Sequence, residues 1–181
     1  MISPSTLAVP LHVPGEVPPP LSIRLAVALL TGLLATLGMT VVMRLQSYGY
    51  VPAYVAAGAV WQRPAERVSW SAANAVHLAA GMLAGVAFEV LLVGYEGLRG
   101  AVGIRTEIVV ANVTTASELA IVAAVVAFLY GFFSWVVFPR YGGAAYETRP
   151  GTVRRQWAVS AVIYGGCLFA AVTAAYRFLP V

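Results

Sequence analysis

Four long apolar stretches, separated by shorter segments that hold most of the charge, set the pattern of the chain: Leu25–Met43, Ser71–Val93, Ala116–Phe138 and Trp157–Tyr176. An apolar helix of about 20 residues crosses a hydrocarbon layer of about 30 Å, and each stretch meets that length. The pattern predicts an all-α polytopic membrane protein with four transmembrane helices. Residues 1–24 form a Pro-rich extended tail and residues 25–181 the four-helix transmembrane domain. A fifth apolar run, Val51–Trp61, has eleven residues, too few to span. With Tyr50, Tyr54 and Trp61 around it, it predicts a helix lying in the membrane interface rather than a re-entrant loop.

Composition supports this reading. The chain is 60% hydrophobic and 10% charged, with a mean hydropathy of +0.83, against about 45–50% apolar and about 25% charged in soluble domains. The longest pieces outside the four stretches are residues 1–24 and the segment Arg44–Trp70, too short for a soluble catalytic domain. The tail carries six prolines in its first twenty residues and no basic n-region, so no cleavable signal is expected and the first span serves as an uncleaved anchor. The lone Cys167, inside the fourth stretch, excludes an internal disulfide.

Charge adds an orientation. All eleven basic residues are Arg and all seven acids are Glu. The arginines sit at helix ends, where they can reach headgroups, so the basic balance points to anionic lipid as partner and not to nucleic acid. The two segments Arg44–Trp70 and Pro139–Arg155 share one side and hold seven arginines, against four on the other side. The positive-inside rule then puts both termini outside, in a cell membrane.

The two halves also resemble each other. Val41-Val42-Met43-Arg44 followed by Tyr48-Gly49 matches Val136-Val137-Phe138-Pro139-Arg140 followed by Tyr141-Gly142, and Arg63-Pro64 and Arg149-Pro150 each shortly precede a tryptophan. Aligning Trp70 with Trp157 sets His77 opposite Tyr164. Two tandem repeated helical hairpins would explain this, as would chance identity between Ala/Val-rich helices; both readings stay open.

Polar groups inside a span are costly and therefore informative. The second stretch carries Asn74, His77 and Glu89. At about 100° per residue these fall, with Gly81, Gly85 and Phe88, in one arc of about 120°. Gly81 and Gly85 form a GxxxG pair, which admits a neighbouring backbone, so this face is expected to look inward. By depth, Tyr130 and Tyr164 can join Asn74 and His77 in an intramembrane cluster, while Thr31, Thr173, Arg24 and Arg177 lie nearer Glu89. Gly131 and Gly165, with the Ala runs Ala120/Ala124 and Ala123/Ala127, read as helix-packing surfaces. Thr31, Thr36 and Thr40 are expected to bond back to their own helix. Thr115-Ala-Ser-Glu118 predicts a capping box for the third span, and Asn112-Val-Thr114 matches a glycosylation acceptor.

Each candidate has two readings. His77 is a hydrogen-bonded packing residue, or a contact for a ligand, proton, quinone or haem. The only other histidine is His12 in the tail, so a second haem ligand would have to come from there or from a second copy. Glu89 is a structural partner of an end arginine, or a transport or proton group. His77 and Glu89 lie about 18 Å apart along one helix and cannot pair. HExxH, CxxC, P-loop and GxSxG signatures are absent; no catalytic residue, metal site or cofactor is implied.

Gly32-Leu-Leu-Ala-Thr36-Leu-Gly-Met39-Thr40-Val-Val-Met43 and His77-Leu-Ala-Ala-Gly81-Met-Leu-Ala-Gly85 resemble small uncharacterised multi-pass membrane proteins of archaea and bacteria. In those, GxxxTxxMTxxM recurs early and a His-Leu-x-x-Gly run opens a later span. The resemblance implies the architecture and no activity. Three roles follow for testing: a non-enzymatic structural or accessory subunit, docked through small-residue faces as a homo-oligomer or with other membrane subunits; a small transporter or proton-coupled carrier using Glu89 and His77; and a haem- or quinone-binding subunit.

Overall fold

The computed structural model describes residues 19–103, 108–110 and 114–178. The Pro-rich tail through Pro18, His12 and the Asn112 acceptor lie outside them. The chain is all-α, and four helical runs are long and apolar enough to cross a membrane. They are α1 (Leu21–Leu45), α3 (Trp70–Ala101), the run Ala116–Tyr141 and α7 (Pro150–Phe178). The third run is built of α4 (Ala116–Phe132), a π-helical segment (Phe133–Val137) and α5 (Phe138–Tyr141). Between α1 and α3 lies α2 (Val51–Trp61), and between α5 and α7 lies α6 (Gly143–Thr148).

Each long helix outruns its apolar stretch. The 32 residues of α3 reach about 48 Å at about 1.5 Å per residue, well beyond a hydrocarbon layer of about 30 Å. Hydropathy marks only the apolar part, so the segment Gly94–Ala101, expected as loop, is helix. Termination is local chemistry. Ser69 caps α3 by accepting from Ala72 N at 3.3 Å. The capping box of α4 is present: Thr115 Oγ1 accepts from Glu118 N at 3.3 Å, and Glu118 Oε2 accepts from Thr115 N at 3.0 Å. A short antiparallel pairing, Val109–Val110 (β1) with Thr114–Thr115 (β2), leads into it. The π segment stands one turn ahead of Pro139. In a regular α-helix the proline ring would crowd the carbonyl four residues earlier and offer it no N–H; the wider π turn relieves that conflict.

α1 lies between α3 and α7 and packs along both, while α4 packs on α7 and more lightly on α3. The crossing of α1 and α3 is backbone-close. A methyl group on Gly32 would sit 2.7 Å from Gly81 O and 3.1 Å from Gly85 Cα, and one on Gly81 would collide with Thr36 Oγ1. The expected inward face of α3 is the buried one, formed by Ala73, His77, Gly81, Ala84, Gly85, Phe88, Glu89 and Leu92. Gly165 meets Val122 and Val126 where α7 crosses α4. A methyl on Gly131, in contrast, would meet Trp135 of its own helical run.

α2 forms over the expected residues but is not set apart on the surface. None of Val51–Ala59 is exposed, and Val55 and Ala57 are fully buried. It packs on α3, α5 and the π segment. An all-apolar helix of small residues can be buried over much of its surface; here only its end, Val60 and Trp61, is exposed.

Candidate functional site

The costly polar groups resolve into two separate sets at different depths. The first joins α1 to α3 at the end of the bundle where α1 begins. Arg24 on α1 donates from Nε to Glu89 Oε1 at 2.5 Å, and from Nη1 and Nη2 to the two Glu96 oxygens at 2.8 and 3.1 Å. Arg24 and Glu89 are 4% and 2% exposed, so the pair is a buried one and its charges depend on each other. Tyr176 on α7 belongs to the same neighbourhood. Glu89 thus takes the end-arginine partner foreseen for it. Glu96 was not foreseen, because the helix was expected to stop at Val93; its i+7 spacing from Glu89 is the signal that would have placed both on one face.

The second set gathers around His77. Its Nε2 lies 2.9 Å from Thr40 Oγ1. Tyr50, just before α2, packs its ring 5.7 Å from the imidazole, centroid to centroid, and donates to Asn74 Oδ1 at 2.7 Å. Burial pushes the Tyr50 phenol up from its ordinary range, and Arg44 opposes that shift; the phenol remains a donor. Tyr164 on α7 donates to Gly81 O at 2.7 Å. Of the candidate cluster, Asn74, His77 and Tyr164 are therefore tied into one region. Tyr130 is not: it packs edge-on against Trp135, centroids 5.4 Å apart. The connection supplied Tyr50, which reasoning confined to the spans could not reach.

A cavity of about 40 Å³ lies against this set, lined by His77, Tyr164, Trp157 and Phe133 among apolar neighbours from α1, α2 and α3. His77 and Tyr164, opposite each other in the alignment of the two hairpins, thus face a common space. Trp157 Nε1 donates to Leu129 O at 3.2 Å.

The threonines behave as expected, with Thr31, Thr36 and Thr40 bonding to Val27 O, Gly32 O and Thr36 O at 2.7–2.8 Å. Between the two sets, the contact of Gly32 and Thr36 with Gly81 and Gly85 closes the α3 face. The two connections of the hairpins share one end of the bundle: Gln62 and Arg63 line the same open cleft as Arg140 and Glu147. Among the described residues, no group of three or more His, Cys, Asp or Glu is placed to hold a metal ion. No family model, curated protein or solved structure matches this chain.

Proposed function

We propose that this chain is a multi-pass protein of a cell membrane, non-enzymatic, serving as a structural or accessory subunit that docks another membrane subunit through α4. One observation carries the reading. On α1 the small and hydroxyl residues, Thr31, Gly32, Ala35 and Thr36, are buried, and Leu30, Leu34, Leu37 and Val41 face outward. That is how a helix packs in lipid, where small residues let backbones approach. On α4 small residues lie outward instead: Ala120, Ala123, Ala124 and Ala127 are exposed, alongside Leu119, Phe128 and Phe132. Among the described residues, none covers these four alanines, which are small enough for another backbone to approach.

The interior supports the same role. Glu89 is occupied by Arg24, and the α1–α3 crossing separates it from His77, which argues against a carrier that uses the two together. We further propose both termini outside and the arginine-rich connections on the cytoplasmic side against anionic headgroups, on the strength of the seven-to-four arginine bias.

Native mass spectrometry of the complex, extracted from its own membrane in mild detergent, tests the reading. Mass beyond whole multiples of 19.0 kDa, after lipid is subtracted, is the expected result. A clean monomer or homo-oligomer would overturn the foreign-subunit reading and return attention to transport.

A further inference from the structure

Hydrogen-bond bookkeeping around the His77 cavity gives it a definite chemical preference. Thr40 Oγ1 has one proton, and it goes to Thr36 O at 2.7 Å. Both contacts of this hydroxyl are satisfied together only when Thr40 accepts from His77, which assigns the proton to Nε2, 2.9 Å away. In the neutral ring Nδ1 carries a bare lone pair, and no donor among the described residues reaches it. The same accounting applies to the other polar walls. The Tyr164 hydroxyl proton is given to Gly81 O, which leaves the phenol oxygen as an acceptor. The Trp157 N–H is given to Leu129 O. Every donor that lines the cavity is turned into the protein, and the groups left over are acceptors.

We infer that this cavity binds a small donor of hydrogen bonds, a single heavy atom carrying two or more protons, held by His77 Nδ1 with Tyr164 as the second acceptor. Its size fits: about 40 Å³ exceeds the roughly 10–15 Å³ that one water needs, and is filled by one to three such molecules. An anion or a carbonyl compound finds no donor there. Two molecules share the required chemistry, water and ammonium. Phe133 and Trp157, packed on each other with ring centroids 4.7 Å apart, close the apolar side of the space. The inference goes beyond the docking role and stands whether or not a partner subunit is found.

The test uses the full chain in lipid nanodiscs, with ¹⁵N-labelled histidine and His12→Gln, so that His77 is the only histidine. Imidazole ¹⁵N spectra are recorded in ammonium chloride and in sodium chloride at equal ionic strength. Protonated Nε2 and a hydrogen-bonded Nδ1 are expected. If ammonium is the occupant, the Nδ1 resonance moves saturably with ammonium, and Tyr164→Phe raises the half-saturating concentration about tenfold, the loss of one hydrogen bond. If water is the occupant, the resonance is the same in both salts and correlates with exchanging water protons. Either result supports a bound donor. An Nδ1 free of any donor in both salts, or a ring protonated at Nδ1, would overturn the inference, and both are read with Tyr164 in place.

Discussion

α1 and α4 open the two hairpins, are similarly apolar, and are packed in opposite ways. α1 buries a stripe that runs its whole length, from Arg24 through Thr31, Gly32 and Thr36 to Met43, and shows leucines on the other side. α4 buries only Glu118 and Val125 and shows four alanines together with Leu119, Phe128 and Phe132. In water the hydrophobic pattern would distinguish these helices. In lipid it cannot, because the surroundings are as apolar as a leucine side chain. What separates a packed face from a lipid face is side-chain size and hydrogen-bonding capacity. The comparison teaches that α1 obeys this rule within the chain, whereas the alanines of α4 would obey it only with the docked neighbour proposed above.

The comparison breaks most severely at Arg24. Arg24→Met leaves Glu89 and Glu96 facing each other with no guanidinium, and is expected to cost about 3–5 kcal/mol, the usual penalty for stranding a buried charge. Unfolding by titrated denaturing detergent measures it. Adding Glu89→Gln and Glu96→Gln should return more than half of the loss; a triple variant no better than Arg24→Met would show that the ion cluster is not what binds α1 to α3 here.

Glycine substitutions sharpen the same contrast at smaller size. A methyl on Gly85 would meet Ala28 O and the Gly32 backbone, so Gly85→Ala is expected to cost about 1–3 kcal/mol through overpacking. On the third run the nearest group to a methyl on Gly131 is the edge of Trp135 at 3.2 Å. Gly131→Ala should therefore be neutral, or gain up to about 1 kcal/mol from helix propensity. Equal losses at the two sites would end the distinction between a packed first hairpin and an open third run.

Much of this architecture is legible before any coordinates are considered, for physical reasons that can be named. Length and apolarity mark the four helices long enough to cross a membrane, the 3.6-residue period puts His77, Gly81, Gly85 and Glu89 on one face, and Thr115 and Glu118 announce their cap. Other features needed the third dimension. Glu96 lies past the apolar stretch, where hydropathy falls silent although the helix continues. Tyr50 comes from a connection, and its approach to Asn74 depends on where α2 packs. That Tyr130 turns toward Trp135 while Leu129 and Phe133 reach the cavity depends on rotation of the third run. The tautomer inferred for His77 rests on Thr36 O, two hydrogen bonds away from the ring.

The capping box gives a milder test confined to the start of α4. Thr115→Ala removes the acceptor for Glu118 N and should cost about 1 kcal/mol. Since few contacts hold α4 in place, the loss should appear as faster amide exchange in its first turns and leave α1 and α3 protected. A loss spread evenly over all four helices would mean that α4 is bound to the bundle as firmly as α1.

The smallest expected effect on stability bears most directly on the proposed role. Ala124 is exposed on α4, so Ala124→Leu should leave the unfolding midpoint within about 0.5 kcal/mol of the parent, as surface changes usually do. The same side chain would hold a docking helix away from the α4 backbone. Native mass spectra of the variant should then show the foreign subunit reduced or lost while the chain itself stays folded. Leu34 on α1 is the matched control: it is already large and 56% exposed, and Leu34→Ile should change neither stability nor partner mass. If Ala124→Leu retains the full complex, the alanine face meets lipid after all, and its inverted arrangement relative to α1 loses the meaning assigned to it here.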